Sequence, residues 1–133
     1  MKCMKNSPII FTFIFSMVTF SAVSFAEWTR VAETENGYTF YVDFETIKKQ
    51  NGYVYFWELS NYLKPDKWKD MSSKTLQEAD CNTPVRARKI YATYHTQPMA
   101  NGEPSTVSPE TRDWIYPHPD SVMGVILEKV CNR

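Results

Sequence analysis

The sequence contains few glycines and no excess of charge of either sign. Four glycines are spread over 133 residues, and none of them forms the glycine-rich loop that cradles a phosphate. Fifteen basic side chains balance fifteen acidic ones, so the chain lacks the basic surplus on which nucleic-acid binding draws. We therefore predict neither a nucleotide cofactor nor a nucleic-acid partner.

Metal ligands are also scarce. The two histidines, His95 and His118, lie far apart in the sequence, and the three cysteines are Cys3, Cys81 and Cys131. A metal site needs several His, Cys or carboxylate side chains that converge on one point. The sequence predicts no metal site and no other cofactor.

Residues 1–26 have the order of features found in a secretory signal peptide. Lys2 and Lys5 precede an almost unbroken apolar stretch over 9–23, and Ser24-Phe25-Ala26 places small residues where signal peptidase cleaves. The apolar stretch is shorter than the roughly 20 residues that a membrane-spanning helix needs. We predict a cleaved leader, an exported protein, and no integral membrane segment after cleavage, the alternative being a permanent membrane anchor.

The predicted mature chain, residues 27–133, reads as a single domain with two cysteines. Cys3 lies ahead of the apolar stretch and would leave with the leader, so no lipid anchor is predicted. Because an exported domain meets an oxidising compartment, a disulfide between Cys81 and Cys131 is the economical interpretation. The alternatives are two free thiols or a catalytic cysteine, although neither histidine falls in a Cys/His signature.

Alternating apolar and polar residues, separated by turn dipeptides, predict an antiparallel sheet. Asn36-Gly37 separates two strand-like runs and predicts a β-hairpin, and Asn51-Gly52 marks another tight turn before a longer strand. The connection over 97–109 is too polar and too often interrupted by proline to be regular. The predicted strands are 28–34, 38–42, 53–62, 72–82, 85–97 and 113–116.

The final segment changes to a helical period. Val122, Ile126 and Val130 recur at every fourth position, which indicates an amphipathic helix, and Asp120 or Ser121 can cap its first N–H groups. The predicted fold class is therefore α+β, with about six antiparallel strands and a C-terminal helix packed on one face of the sheet. The disulfide would tether the end of this helix to the end of a strand.

The loop over 64–70 is charged and contains a proline. Its one large apolar side chain is Trp68. We predict that Trp68 is tucked back onto the sheet, the alternative being that it is a surface contact residue.

A basic cluster with neighbouring tyrosines is the best candidate for contact with a polyanion or a matrix protein. It consists of Arg86, Arg88 and Lys89, with Tyr91 and Tyr94 nearby. Arginine and tyrosine are enriched at binding hot spots. Strand alternation places the two arginines on one face and Lys89 on the other. The alternative interpretation is an ordinary solvated strand face.

Two pairs of carboxylates, Asp43/Glu45 and Glu78/Asp80, are spaced two residues apart. On a strand this spacing places both members on one face, as a general acid and base would require. They are equally compatible with solvated charges. For Glu78/Asp80 we favour a structural role near Cys81 over catalysis.

A series of short motifs follows in an order found in a known family. They are Tyr41-Val42-Asp43 with Thr46-Ile47, residues 54–59, Asn61-Tyr62, the stretch 72–81 ending in Asp80-Cys81, a tyrosine-containing strand over 86–94, Trp114, Pro119, Ser121-Val122 and the terminal Val130-Cys131. In this order they resemble the surface-adhesin protein E-like family of exported Gram-negative bacterial proteins, over essentially all of 27–133.

The resemblance implies a six-stranded antiparallel sheet with a C-terminal helix laid across one face and held there by a disulfide. It also implies an exported, non-enzymatic domain linked to adhesion to host extracellular-matrix proteins. We therefore expect a binding or adhesion module of the cell envelope, either periplasmic or at the surface or secreted. Its partner would be a host matrix protein or another envelope protein.

Two other functions compete with this expectation. One is a soluble periplasmic structural or assembly factor, and the other is a periplasmic hydrolase that works through paired carboxylates. An exposed edge strand would also allow two copies to form a homodimer by strand pairing.

Overall fold

The computed structural model describes residues 26–133, so the predicted leader lies outside the described residues except for Ala26. These residues form a seven-stranded antiparallel sheet followed by a helix, which confirms the predicted α+β class. The order across the sheet is β1-β2-β4-β5-β6-β7, and β3 also pairs with β4. The elements are β1 (Trp28–Glu33), β2 (Thr39–Asp43), β3 (Lys48–Gln50), β4 (Tyr53–Asn61), β5 (Ser72–Asp80), β6 (Arg86–His95), β7 (Thr106–Ser108) and α1 (Val122–Cys131).

The first predicted hairpin joins β1 to β2 as expected. Gly37 has a φ of +84°, in the left-handed region that glycine adopts without a Cβ clash. The register pairs Trp28 with Asp43 and shifts between Arg30 and Ala32. The hairpin thereby brings Trp28, at the start of the described chain, to the edge of the sheet.

A bulge in β6 changes the side-chain alternation of that strand. Leu76 of β5 pairs with Tyr91, and the next residue, Gln77, pairs with Lys89. Ile90 is therefore the extra residue of the bulged strand. Residues before and after Ile90 no longer follow a simple odd and even division between the two faces.

The predicted strands differ from the observed ones in two places. β3 and β7 were not predicted, because each is three residues long and carries no alternating apolar pattern, and β7 lies inside the connection expected to be irregular. The predicted strand over 113–116 is wrong: it forms an isolated bridge between Ile115 and Ala87. Pro117 ends this segment, because proline has no N–H group to extend the pairing.

The helix α1 packs its apolar stripe against one face of the sheet, as predicted. Ile126 and Val130 are fully buried, and they share one core with Val54 and Phe56 of β4. The Ser121 side chain accepts a hydrogen bond from the Gly124 N–H at 3.1 Å and so caps the helix. In the part of the chain that the structure describes, no helix has the length and apolar character needed to span a membrane.

The N-terminal turn of α1 lies unusually close to the Pro-His-Pro loop that precedes it. A Cβ atom built on Gly124 would lie 2.1 Å from the carbonyl oxygen of His118 and 2.9 Å from that of Pro119. These contacts are with backbone atoms, so a side chain at this position would have to displace the loop. The absence of a side chain at Gly124 lets the loop fold back against the helix.

The predicted disulfide is present between Cys81, directly after β5, and Cys131, the last residue of α1. The two Cα atoms are 5.6 Å apart, and the bond closes a loop with a sequence separation of 50. It joins the end of the helix to the centre of the sheet, since β5 lies between β4 and β6. Within 26–133 these are the two cysteines of the chain.

Removal of the disulfide should strongly destabilise the domain. For a loop of this length, the loss of chain entropy in the unfolded state predicts a decrease of about 4 kcal/mol in the free energy of unfolding for Cys81→Ala/Cys131→Ala. Urea denaturation followed by tryptophan fluorescence measures the change. Wild-type protein treated with a reductant should match the double variant, and an unchanged urea midpoint in both would contradict the prediction.

The Gly124→Ala substitution should also destabilise the fold. Alanine is favoured over glycine inside a helix by about 1 kcal/mol, so an unobstructed position would become more stable. Here the backbone contact with His118 should reverse the sign, with a loss of about 1–3 kcal/mol, as for other overpacked sites. Thermal denaturation provides the test, with Glu128→Ala on the exposed side of α1 as the control. A raised melting temperature for Gly124→Ala would show that the loop yields freely.

Candidate functional site

The sheet has one face that the helix does not cover. Val54 and Phe56 of β4 lie in the core against α1, so the alternate residues Tyr55 and Trp57 belong to the opposite face, which we call the open face. A loop closes one end of it: the Met99 N–H donates to the Asn61 side chain at 2.8 Å. The middle of the open face carries no helix or strand from residues 26–133.

A row of large side chains crosses the middle of the open face. We call it the aromatic strip, and it consists of Trp28, Trp57, Lys74, Leu76 and Tyr91. The Trp57 and Tyr91 rings meet edge to face with centroids 6.1 Å apart. The Lys74 ammonium lies 4.5 Å from the centroid of Trp57 and 6.0 Å from that of Trp28. All five side chains are half-buried, so the strip presents aromatic and cationic surface to solvent.

The predicted contact residues Arg86 and Arg88 lie on the same face, beside the strip. Arg86 Nε donates to Asp80 Oδ2 at 3.2 Å, and Arg88 Nε donates to Glu78 Oε1 at 2.7 Å. Both guanidinium groups lie over the ring of Trp114, at 4.2 and 4.4 Å from its centroid. Each arginine is thus partly neutralised by a carboxylate while it holds Trp114 against the sheet.

The carboxylates of this cluster act as hydrogen-bond acceptors. A hydrogen bond from the backbone N–H of Asn82 lowers the pKa of Asp80. Hydrogen bonds from the side-chain amide of Asn82 and from Arg86 lower it further. The Tyr55 hydroxyl donates to Glu78, which raises the pKa of Tyr55. This arrangement fits the structural role predicted for Glu78/Asp80 near Cys81.

The other carboxylate pair is divided between two environments. Asp43 is buried, and its side chain accepts the Glu45 N–H at 3.1 Å, so that it caps the single helical turn over Phe44–Thr46. Glu45 is exposed. Asp43 is therefore engaged by the backbone of the neighbouring turn.

The predicted contact residues do not form one cluster, because Tyr94 lies on the helix side of the sheet. The Lys89 ammonium donates to the Tyr94 hydroxyl at 3.1 Å, whereas Tyr91 contacts Trp57 on the open face. Simple alternation would have placed Tyr94 with the arginines and Tyr91 with Lys89. The bulge at Ile90 exchanges the two tyrosines between the faces.

The prediction that Trp68 tucks back onto the sheet is wrong. The residue is 69% exposed. The Asp66 carboxylate accepts the N–H groups of both Trp68 and Asp70 at 2.9 Å, and this tight turn turns the indole outward. The alternative interpretation, a surface contact residue, fits the structure.

The two histidines occupy separate parts of the molecule. His95 is buried, with its Nε2 2.9 Å from the Thr93 hydroxyl and its Nδ1 3.2 Å from the Gly102 carbonyl oxygen. His118 lies exposed in the loop before α1, next to Asp120. Over residues 26–133, no three His, Cys, Asp or Glu side chains are grouped in a way that could hold a metal ion.

A buried carboxylate that the sequence pattern did not single out lies on the helix side of β4. Glu58 accepts hydrogen bonds from the Gln77 amide at 2.9 Å and from the Ser60 hydroxyl at 3.3 Å. Burial raises the pKa of Glu58, although these hydrogen bonds and the charge of Lys89 oppose the shift. Alternation alone placed Glu58 with Val54 and Phe56, which was the available signal that it is buried.

The chain belongs to the surface-adhesin protein E family, whose model matches residues 28–132. The predicted family resemblance is thus confirmed. A structure of Haemophilus influenzae protein E in crystal form II superimposes with a TM-score of 0.59 at 16% identity, covering 82% of this chain and 90% of that one. A second structure of the same protein gives 0.58 at 16% identity, with 82% and 86% covered. No curated protein matches the sequence.

Replacement of the buried Glu58 by glutamine should stabilise the protein at neutral pH. Because burial raises the pKa of Glu58 above the unfolded value of 4.5, the folded state holds the proton more tightly, and the free energy of unfolding falls as the pH rises above 4.5. Glu58→Gln should remove this decrease in the free energy of unfolding. The decrease amounts to about 1.4 kcal/mol for each unit by which the pKa of Glu58 differs between the folded and unfolded states.

The test compares urea midpoints of Glu58→Gln and wild-type protein between pH 4 and pH 8. The difference should be largest at high pH and should vanish near pH 4. Glu45→Gln, at an exposed position, is the matched control and should leave the curve unchanged. A Glu58→Gln variant that is less stable than wild type at pH 8 would contradict the prediction, because it would show that the folded protein favours the charged form of Glu58.

Proposed function

We propose that this member of the adhesin family is an exported, non-enzymatic binding module of the bacterial cell envelope. The mature domain over 27–133 would follow a cleaved leader over 1–26. It would act at the cell surface by binding a host extracellular-matrix protein through the open face. Family membership and the leader-like N-terminal segment support export.

The aromatic strip is the observation that carries this proposal. Tryptophan, tyrosine and arginine dominate the residues that contribute most to protein interfaces. Here Trp28, Trp57 and Tyr91 lie half-exposed on a rigid sheet, so little conformational entropy would be lost when a partner covers them. The strip is bordered by the arginine cluster with Trp114.

The charges of the open face favour an acidic partner segment. Lys74 contacts aromatic rings in the strip, and no acidic side chain of residues 26–133 forms an ion pair with it. Arg86 and Arg88 keep further N–H donors beyond the one that each gives to its carboxylate. We propose Arg86, Arg88 and Tyr91 as contact residues on this face, whereas Tyr94 would serve a partner on the other face.

The engagement of the carboxylates supports binding over hydrolysis. A general acid or base needs a carboxylate that can reach a substrate proton. Glu78 and Asp80 accept hydrogen bonds from arginines, and Asp43 caps a turn. Each is therefore occupied with a structural partner, and no cofactor or metal is needed for the proposed activity.

The proposal extends to self-association through β1. This strand ends the sheet, and its outer edge pairs with no strand among the described residues. An unpaired edge offers N–H and C=O groups to a second strand. We propose that two copies of the chain form a homodimer across this edge.

The binding proposal predicts that Lys74→Glu weakens attachment to matrix protein. Purified residues 27–133 are applied to wells coated with basement-membrane extract, and bound protein is quantified by antibody. Charge reversal in the strip should raise the half-saturating concentration at least about tenfold, in the range of a hot-spot residue. Lys64→Glu, the same change in an exposed loop, should leave binding within about twofold.

Protease treatment of intact cells tests the surface location. Two results together support the adhesin form of the proposal. The protease should digest the protein on intact cells, and Lys74→Glu should weaken binding in the matrix-protein assay. A protein that resists the protease until the outer membrane is opened would overturn it, and the partner would then be sought among envelope proteins. Equal binding of the two charge variants would remove the open face as the contact surface.

A further inference from the structure

A small hollow lies on the side of the sheet opposite the aromatic strip. Its volume is about 290 Å³, and it lies between the 64–70 loop and strands β6 and β7. Tyr94 pairs with Thr106 in the β6–β7 ladder, two residues from Ser108, so all three side chains share this face. The lining residues are Trp68, Asp70, Tyr94, Thr106, Ser108 and Arg112.

The loop holds Trp68 beside the hollow in a fixed position. Asp66 accepts the N–H groups of Trp68 and Asp70, its own N–H donates to the Asp70 carbonyl at 2.9 Å, and its carbonyl accepts the Lys69 N–H at 2.9 Å. The Ser105 hydroxyl donates to the Asp70 carboxylate at 2.6 Å. This hydrogen bond attaches the loop to the residue directly before β7. An exposed indole on such a closed loop is already arranged for contact.

The polar groups of the hollow include both donors and acceptors. The Tyr94 hydroxyl accepts a hydrogen bond from Lys89, so its own proton remains free to donate. Asp70 uses one carboxylate oxygen for Ser105, and its other oxygen receives no hydrogen bond from the described part of the chain. Arg112 is exposed and lies 4.0 Å from Glu110, too far for a strong pair. The Thr106 and Ser108 hydroxyls can act in either direction.

We propose that this hollow binds one pyranose ring of a glycan. The Lys67 ammonium lies over one face of the Trp68 ring, 4.0 Å from its centroid. The C–H face of a sugar ring carries partial positive charge and would stack on the other face of the indole. The sugar hydroxyls need donors and acceptors together, which Arg112 and Asp70 supply. The volume is near the lower limit of ligand pockets, about 300 Å³, and suits a single ring.

Other classes of ligand fit the hollow less well. A simple anion would be attracted by Arg112 but repelled by the Asp70 carboxylate. An apolar ligand would cover Asp70 and the Tyr94 hydroxyl without offering them hydrogen bonds, which is costly. The glycan site is separate from the open face, so it would add a second kind of ligand to the proposed matrix-protein contact.

The test is a titration of ¹⁵N-labelled residues 27–133 with galactose, N-acetylglucosamine and glucuronic acid, each followed by NMR up to 20 mM. For ligands of this size, at least one sugar should shift the amide signals of Thr106, Ser108 and Arg112, with a Kd on the order of 1 mM. Trp68→Ala should weaken this binding at least tenfold. Thr106→Val, which keeps the shape of the side chain, should weaken it severalfold.

The matched control is Trp28→Ala, which removes an indole from the aromatic strip and should leave the sugar titration unchanged. An unchanged titration would show that the glycan site is separate from the open face. A failure of the proposed contact between the open face and matrix protein would instead be seen in the matrix-protein assay. The proposal is overturned if none of the three sugars shifts the amides around the hollow. It is also overturned if Trp68→Ala binds the sugars as tightly as the wild-type protein.

Discussion

The architecture depends on the attachment of one short helix to a sheet that is wider than the helix is long. The ten residues of α1 span about 15 Å, whereas six strands side by side extend over about 24 Å. The buried stripe of Ile126 and Val130 holds the helix on one face, and the Cys81–Cys131 disulfide fastens its end to the centre of the sheet. The helix therefore covers part of one face and leaves the other face to loops and side chains.

The two faces of the sheet are stabilised in different ways. On the open face, aromatic rings pair with cations, as Trp57 does with Lys74 and Trp114 does with two arginines. On the helix side, the Gln77 amide donates a hydrogen bond to Glu58, and both side chains are buried. The aromatic–cation pairs leave surface that a partner can cover, and the buried Glu58 makes the free energy of unfolding depend on pH.

Family membership and fold establish the scaffold, while the proposed contacts are made by individual side chains on it. At 16% identity, the likeness to Haemophilus influenzae protein E establishes a shared arrangement of strands, helix and connections. Function in such a fold resides in the sites built on it. The aromatic strip and the hollow beside Trp68 are the two sites that we propose, and they lie on opposite faces. Their separation allows each to be tested without disturbing the other.

Short-range patterns in the sequence were sufficient for the main elements of the fold. The period of Val122, Ile126 and Val130 predicted the helix, and the turn at Asn36-Gly37 predicted the first hairpin. The compartment and the cysteine count predicted the disulfide. Each of these signals depends on residues close together in the chain or on the chemistry of a single residue type.

Tertiary structure alone decided which side chains meet. The bulge at Ile90 exchanged Tyr91 and Tyr94 between the faces, because adding one residue to a strand reverses the alternation beyond it. Three-residue strands such as β7 carry too few residues to show a pattern. Trp68 turned outward because Asp66 closed its loop, a choice made by hydrogen bonds rather than by hydrophobicity. The sequence determined the elements and their tether, and register and loop closure determined the surfaces.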